Sequence, residues 1–147
     1  DMTIALWVKV PDSTADWSRL IAKTITHISS PYSLFLSASR TFVFSSGDGI
    51  NSDSVESLSI SPTDTWVFIT GVRRGSKIEI YWNGLFERST TMMITPLDGG
   101  NPLRLGTHAG GYNFFTGTID EVRIYNRALT AAEIKRLYES ELMLMRH

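Results

Sequence analysis

One segment near the end of the chain changes its apolar period from two to about 3.6 with almost no slack, and this limits what the chain can fold into. In Thr118-Ile-Asp-Glu-Val-Arg-Ile-Tyr125 the apolar residues Val122 and Ile124 alternate with Glu121, Arg123 and Tyr125, the pattern of a half-buried strand. This parity places Asp120 on the same side as Val122 and Ile124. After Asn126 the pattern turns helical. Thr130 and Glu133 have capping-box spacing, in which hydroxyl and carboxylate each satisfy an orphan N–H at the helix start. Leu129 is positioned to staple onto Ile134.

Upstream, the chain reads as short strands. Residues 2–10 alternate cleanly and stop at Pro11. Residues 20–22, 33–37, 41–45 and 57–61 follow as strands, the last through Leu58 and Ile60, and residues 46–54 read as loop throughout. Residues 66–72 are apolar on both faces, which predicts a central strand. Residues 76–82 alternate again, and Asn83-Gly84 supplies the two positive-φ positions of a type I′ hairpin. A return strand covers 85–91, a short strand 103–106, and a Gly-rich loop 108–113. Many short strands with one terminal helix predict an all-β, two-sheet antiparallel jelly-roll sandwich. The tail, residues 139–147, reads either as a continuation of the helix or as a short strand covering a sheet edge.

Bulk properties exclude several classes. With 147 residues the chain is expected to form one domain over 1–147, cut from a longer polypeptide because it begins at Asp1 within a strand pattern. Any export signal would then lie upstream. Fourteen Lys and Arg against fifteen Asp and Glu leave no basic excess for nucleic acid. No apolar run is long enough for membrane insertion. The absence of Cys rules out disulfides, thiolate metal sites and a Cys nucleophile.

The order of motifs resembles that of laminin-G-like, concanavalin A-type lectin/glucanase jelly rolls. Trp7-Val8-Lys9 resembles the end of the family's opening strand. Asp64-Thr65-Trp66, Ile80 to Gly84 and Pro102 to Gly106 resemble its central blocks, and residues 115–138 its closing block. The family's earlier strand, with its Phe-Asp-Gly-like entry, has no counterpart before Asp1. Its absence would expose a sheet edge, for which residues 142–145 are a candidate cover. The resemblance implies a non-catalytic module of a secreted or surface multidomain protein, extracellular or on the cell surface, whose partner is a glycan or polysaccharide. The alternative is an adhesion module that binds another protein.

A lectin-fold glycosidase would need two carboxylates on one strand face. Asp120 and Glu121 are adjacent, and Glu79 stands alone on its strand, so no same-face pair is present. Glycan recognition calls for aromatic rings off the core faces together with polar groups for hydroxyls. Trp17, Tyr32, His108, Tyr112 and Asn113 fit that description and are the expected carbohydrate-binding residues, in loops at one end of the sandwich. Trp7 and Tyr81, by contrast, are expected to cover a sheet face. Asp120, on core parity, would need a partner for its charge. The resemblance implies that Asp120 either helps hold a structural calcium or pins the neighbouring loop through backbone N–H groups, and the loop from Asp48 to Asp53 is a further candidate, for calcium through Asp48 and Asp53 or for hydroxyl contacts.

Overall fold

A computed structural model describes residues 1–23, 31–97, 100–107 and 113–145. These residues form ten strands and one helix: β1 (Met2–Lys9), β2 (Arg19–Ala22), β3 (Ser33–Leu36), β4 (Phe42–Gly47), β5 (Ser52–Glu56), β6 (Trp66–Arg74), β7 (Lys77–Trp82), β8 (Leu85–Thr91), β9 (Arg104–Leu105), β10 (Thr118–Tyr125) and α1 (Ala131–Met145). Two antiparallel five-stranded sheets result, in the orders β10-β1-β6-β7-β8 and β5-β4-β3-β2-β9. This is the all-β jelly-roll sandwich with a C-terminal helix.

The core lies between the sheets. Ile4, Leu6 and Val8 of β1 and Val67 and Ile69 of β6 face Leu34, Leu36, Phe42 and Phe44 from the other sheet. The hydrophobic alternation of these strands sets their register, because a one-residue slip would turn each apolar set to solvent. The β6 segment, apolar on both faces, is the central strand of its sheet, as its sequence predicts. Asn83 and Gly84 take φ values of 48° and 81°, as the hairpin requires.

The outer face of the first sheet is covered by α1. Ala5, Trp7 and Phe68 pack against Leu137, Tyr138, Leu142 and Met145. The tail to Met145 is therefore helix, and it lies over a sheet face rather than an edge. Its apolar residues recur at three- and four-residue spacing, which suits a helix on a flat sheet and not an edge strand. The cap forms as expected: Glu133 N–H donates to Thr130 Oγ1 at 3.2 Å, and Thr130 N–H donates to Glu133 Oε2 at 2.8 Å. Leu129 and Ile134 are buried in one cluster. Trp7 Nε1 donates to Glu141 Oε2 at 3.0 Å, and Arg123 Nη2 lies 2.6 Å from Glu141 Oε1. A buried carboxylate thus ties the last helical turns to β1 and β10.

Two strand readings change. Residues 57–61 are not a strand, and Leu58 and Ile60 are exposed. The strand instead lies at β5, within and just beyond the segment whose composition reads as loop. A tight turn explains the shift. Asp48 Oδ1 accepts from Ile50 and Asn51 N–H at 2.8 and 2.7 Å, so the loop closes in four residues and pairing resumes at Ser52. In β10, Glu121 takes φ 49° and the register with β1 shifts between Ala5 and Trp7, forming a bulge. Asp120 therefore pairs opposite Trp7 and is exposed, so the core-side parity expected for it does not hold.

Candidate functional site

The outer face of the β5-β4-β3-β2-β9 sheet holds a hollow of about 420 Å³. The described residues that line it are Trp17, Arg19, Phe35, Ser45, Ser52, Ser54 and Asn113. Strand parity builds its floor. Leu34 and Leu36 enter the core, so Phe35 between them faces outward. The same alternation turns Ser45 outward beside Phe44, and Ser54 outward beside Val55. Ser45 pairs with Ser33 on one side and Ser54 on the other, giving a hydroxyl row across three strands. Ser33 and Ser45 hydroxyls lie 2.8 Å apart.

Two loops raise the wall. Arg19 N–H donates to the Asn113 carbonyl at 3.0 Å, and Ser18 Oγ donates to the Phe114 carbonyl at 3.2 Å. These bonds bring the segment before β2 against the segment before β10. Trp17 and Asn113 hold φ values of 60° and 56°, a left-handed conformation that a bulky residue such as Trp seldom adopts. The indole of Trp17 is 52% exposed and lies 6.1 Å from the Phe35 ring. The Arg19 guanidinium carbon sits 4.1 Å over the other part of the hollow's aromatic floor, the Phe35 ring, and the residue is only 5% exposed.

Of the five residues expected to bind carbohydrate, Trp17 and Asn113 meet in this hollow. Tyr32 does not join them. It packs against the core and lines a separate hollow with Met2, Arg73 and Tyr125. Burial holds the Arg73 guanidinium below its ordinary range there, and it donates to the Pro31 carbonyl at 3.0 Å. His108 and Tyr112 lie outside the described residues. Arg19, Phe35 and the three serines were not singled out from the sequence. Phe35 carried a usable signal, as an aromatic ring on the outward parity of a Ser-rich strand. Trp7 and Tyr81 cover sheet faces as expected and are almost fully buried.

The three carboxylates expected to hold calcium take up local roles. Asp48 closes the β4–β5 turn, and the Asn51 and Ile50 N–H groups hold its carboxyl below the ordinary range. Asp53 Oδ2 accepts from Met93 and Ile94 N–H at 2.7 and 3.2 Å. Asp120 Oδ1 accepts from Glu121 N–H at 2.8 Å. Among the described residues, no group of three or more acidic or histidine side chains lies together as a metal-holding cluster.

The sheet order, the sandwiched core and the lined outer face define a lectin-type jelly roll. The chain belongs to the concanavalin A-like lectin/glucanases superfamily, whose family model matches residues 1–135. Comparison with curated proteins finds no match. Solved structures agree on the fold. The receptor-binding domain of botulinum neurotoxin type G aligns with TM-score 0.75 at 17% identity, covering 95% of this chain and 38% of its own. The chain thus spans well under half the length of that protein. Domain 4 of an extracellular arabinanase from Geobacillus stearothermophilus, in complex with arabinotriose, gives TM-score 0.71 at 22% identity, with 93% and 66% covered. The CBM40 of a Ruminococcus gnavus sialidase, bound to α2,3 sialyllactose, gives 0.75 at 12% identity, with 93% and 82% covered.

Proposed function

We propose that this domain is a non-catalytic carbohydrate-binding module that receives a glycan on the outer face of the β5-β4-β3-β2-β9 sheet. The hollow around Trp17 carries this reading. It joins an exposed indole, on which a sugar ring can stack its C–H face, to hydroxyl and amide groups suited to sugar hydroxyls. Similarity in fold to sugar-bound modules from an arabinanase and a sialidase supports it. The described lining residues include no Asp or Glu, which is the opposite of what a two-carboxylate glycosidase needs. A place outside the cell or on its surface follows from the same reading, and the described residues contain no helix long and apolar enough to cross a membrane.

An adhesion module is the second reading. Its support is the exposed edge strand β8 with Leu85 and Phe86, next to exposed Leu58 and Ile60. A glycan array read alongside Trp17→Ala and Phe86→Ser separates the two. A sugar signal lost in Trp17→Ala and kept in Phe86→Ser supports the module proposed here. A sugar signal unaffected by Trp17→Ala would place the site elsewhere.

A further inference from the structure

We propose that the hollow holds two joined sugar subsites, so that its ligand is an oligosaccharide of at least two linked residues laid across the strands, and not a single sugar. This rests on the carbohydrate reading of the same site and narrows it. The groups that a ligand can reach stand at opposite ends of the hollow. Trp17, 52% exposed, and half-buried Asn113 form one end, beside the start of β2. Exposed Ser54 and half-buried Ser52, both on β5, form the other. Between them Phe35 and Ser45 are buried and make the floor. The sheet order sets the distance. Strands β2, β3, β4 and β5 are neighbours in turn, so three strand spacings, about 14 Å, separate the two ends. The indole leans inward, to 6.1 Å from the Phe35 ring on β3, yet two spacings, about 10 Å, still remain to β5. A sugar ring stacked on Trp17 therefore stops short of Ser54, and a second ring joined to it reaches the serines.

The two ends also differ in chemistry. The Trp17 end offers a flat aromatic face for the C–H side of one ring. The β5 end offers hydroxyls, each able to donate and to accept, as sugar hydroxyls do. Asp53 fixes which side chains of β5 face the hollow. Its carboxylate turns toward the opposite sheet and accepts from Met93 and Ile94 N–H, so strand alternation turns Ser52 and Ser54 outward. The serines thus stand in place before a ligand arrives, which lowers the ordering cost of binding. The volume of about 420 Å³ agrees, since cavities of this size receive ligands larger than one sugar ring. Strand β5 is the last of its sheet, so the sheet leaves that side open for a longer chain to continue.

The test is a ladder of chain lengths on the intact domain, read by calorimetry. The ladders are arabinose to arabinotetraose, glucose to cellotetraose, and galactose, lactose and α2,3-sialyllactose. In a series that binds, two linked residues should bind about 10-fold or more tighter than one, with little further gain past three. Ser52→Val combined with Ser54→Val, a change that suits a strand, should bring the longer sugars down to the affinity of the single residue. Trp17→Ala should weaken every length. Equal affinity for one residue and for three overturns the two-subsite proposal and leaves the carbohydrate site standing. A rise with length that survives in the folded double variant takes β5 out of the site and overturns the proposal as well. Where only other glycans on the array bind, each hit is compared with its terminal sugar alone, and the same two outcomes decide. Silent ladders together with a blank array bring down both readings. The wild-type ladder needs no variant, so a misfolded double variant cannot hide the answer.

Discussion

Gly71 lies in the middle of β6, between Ile4 of β1 and Ile80 of β7, with the Phe44 ring of the opposite sheet directly above it. A Cβ built there would sit 2.6 Å from Phe44 Cγ, closer than carbon atoms approach without something moving. The sheets reach their spacing at this point because one partner is a ring and the other has no side chain. Gly71→Ala should therefore cost about 1–3 kcal/mol through overpacking, despite the better strand propensity of Ala. Urea denaturation checks this, and Phe44→Leu in the same background should recover part of the loss. At the same scale, Glu141 is the sole acidic residue that α1 buries among the described residues, held between the Trp7 indole and Arg123. Glu141→Ala leaves an indole N–H without its acceptor and should destabilise by about 1–3 kcal/mol. Glu141→Gln, which keeps an acceptor for Trp7, should cost less.

Among the elements, α1 was the most legible in the sequence, because its cap, staple and apolar spacing are all local. Its pH response is local too. Glu133 is held down to about 2, chiefly by the Arg127 side chain and next by the Thr130 N–H. That lies below the unfolded carboxylate value of about 4.3, so the contribution is complete above that value and is lost as pH falls from there through 2. Helical ellipticity should decline over this acid window, and Glu133→Gln should flatten the decline while lowering the starting signal. Thr130→Ala should remove about 1 kcal/mol at neutral pH through the lost cap. Strand β5 shows the opposite case. Its sequence, Ser52-Asp-Ser-Val-Glu56, has one apolar residue and no alternation to read. It is a strand because β4 offers it a pairing edge and because Asp48 closes the turn, and both reasons are tertiary or conformational. The hollow escaped full notice for the same reason. Trp17 and Asn113 are loop residues that announce themselves by type. Arg19, Ser45, Ser52 and Ser54 gain meaning only when four strands set them side by side. Asp120 failed through a bulge, since one extra residue reverses every parity argument beyond it.

Across the whole molecule, two carboxylates stitch the sheets along one margin, each reaching from its own sheet to the chain that leaves the other. Asp53 of β5 accepts from the N–H groups of Met93 and Ile94, just after β8. Glu87 of β8 accepts from Leu58 and Ser59 N–H at 2.8 and 3.2 Å, just after β5. The Ser59 hydroxyl also donates to Glu87. This explains why the chain after β5 stays in place although Leu58 and Ile60 are exposed, and it gives Asp53 a structural task. Backbone groups held by a carboxylate form charge-assisted bonds, stronger than neutral ones yet here partly open to solvent. Each substitution, Asp53→Asn or Glu87→Gln, should therefore lower global stability by no more than about 1–2 kcal/mol. The local effect should be larger. Hydrogen exchange at Leu58, Ser59, Met93 and Ile94 should speed up well before exchange in β1 and β6 changes, because the margin opens without the core. The double variant decides whether the stitch acts as one unit. If the two ends lock the same opening, losing the second after the first should cost less than losing it alone, and a double-mutant cycle reads that coupling directly. Additive losses, with exchange unchanged at the four N–H groups, would mean that the core alone holds this margin closed.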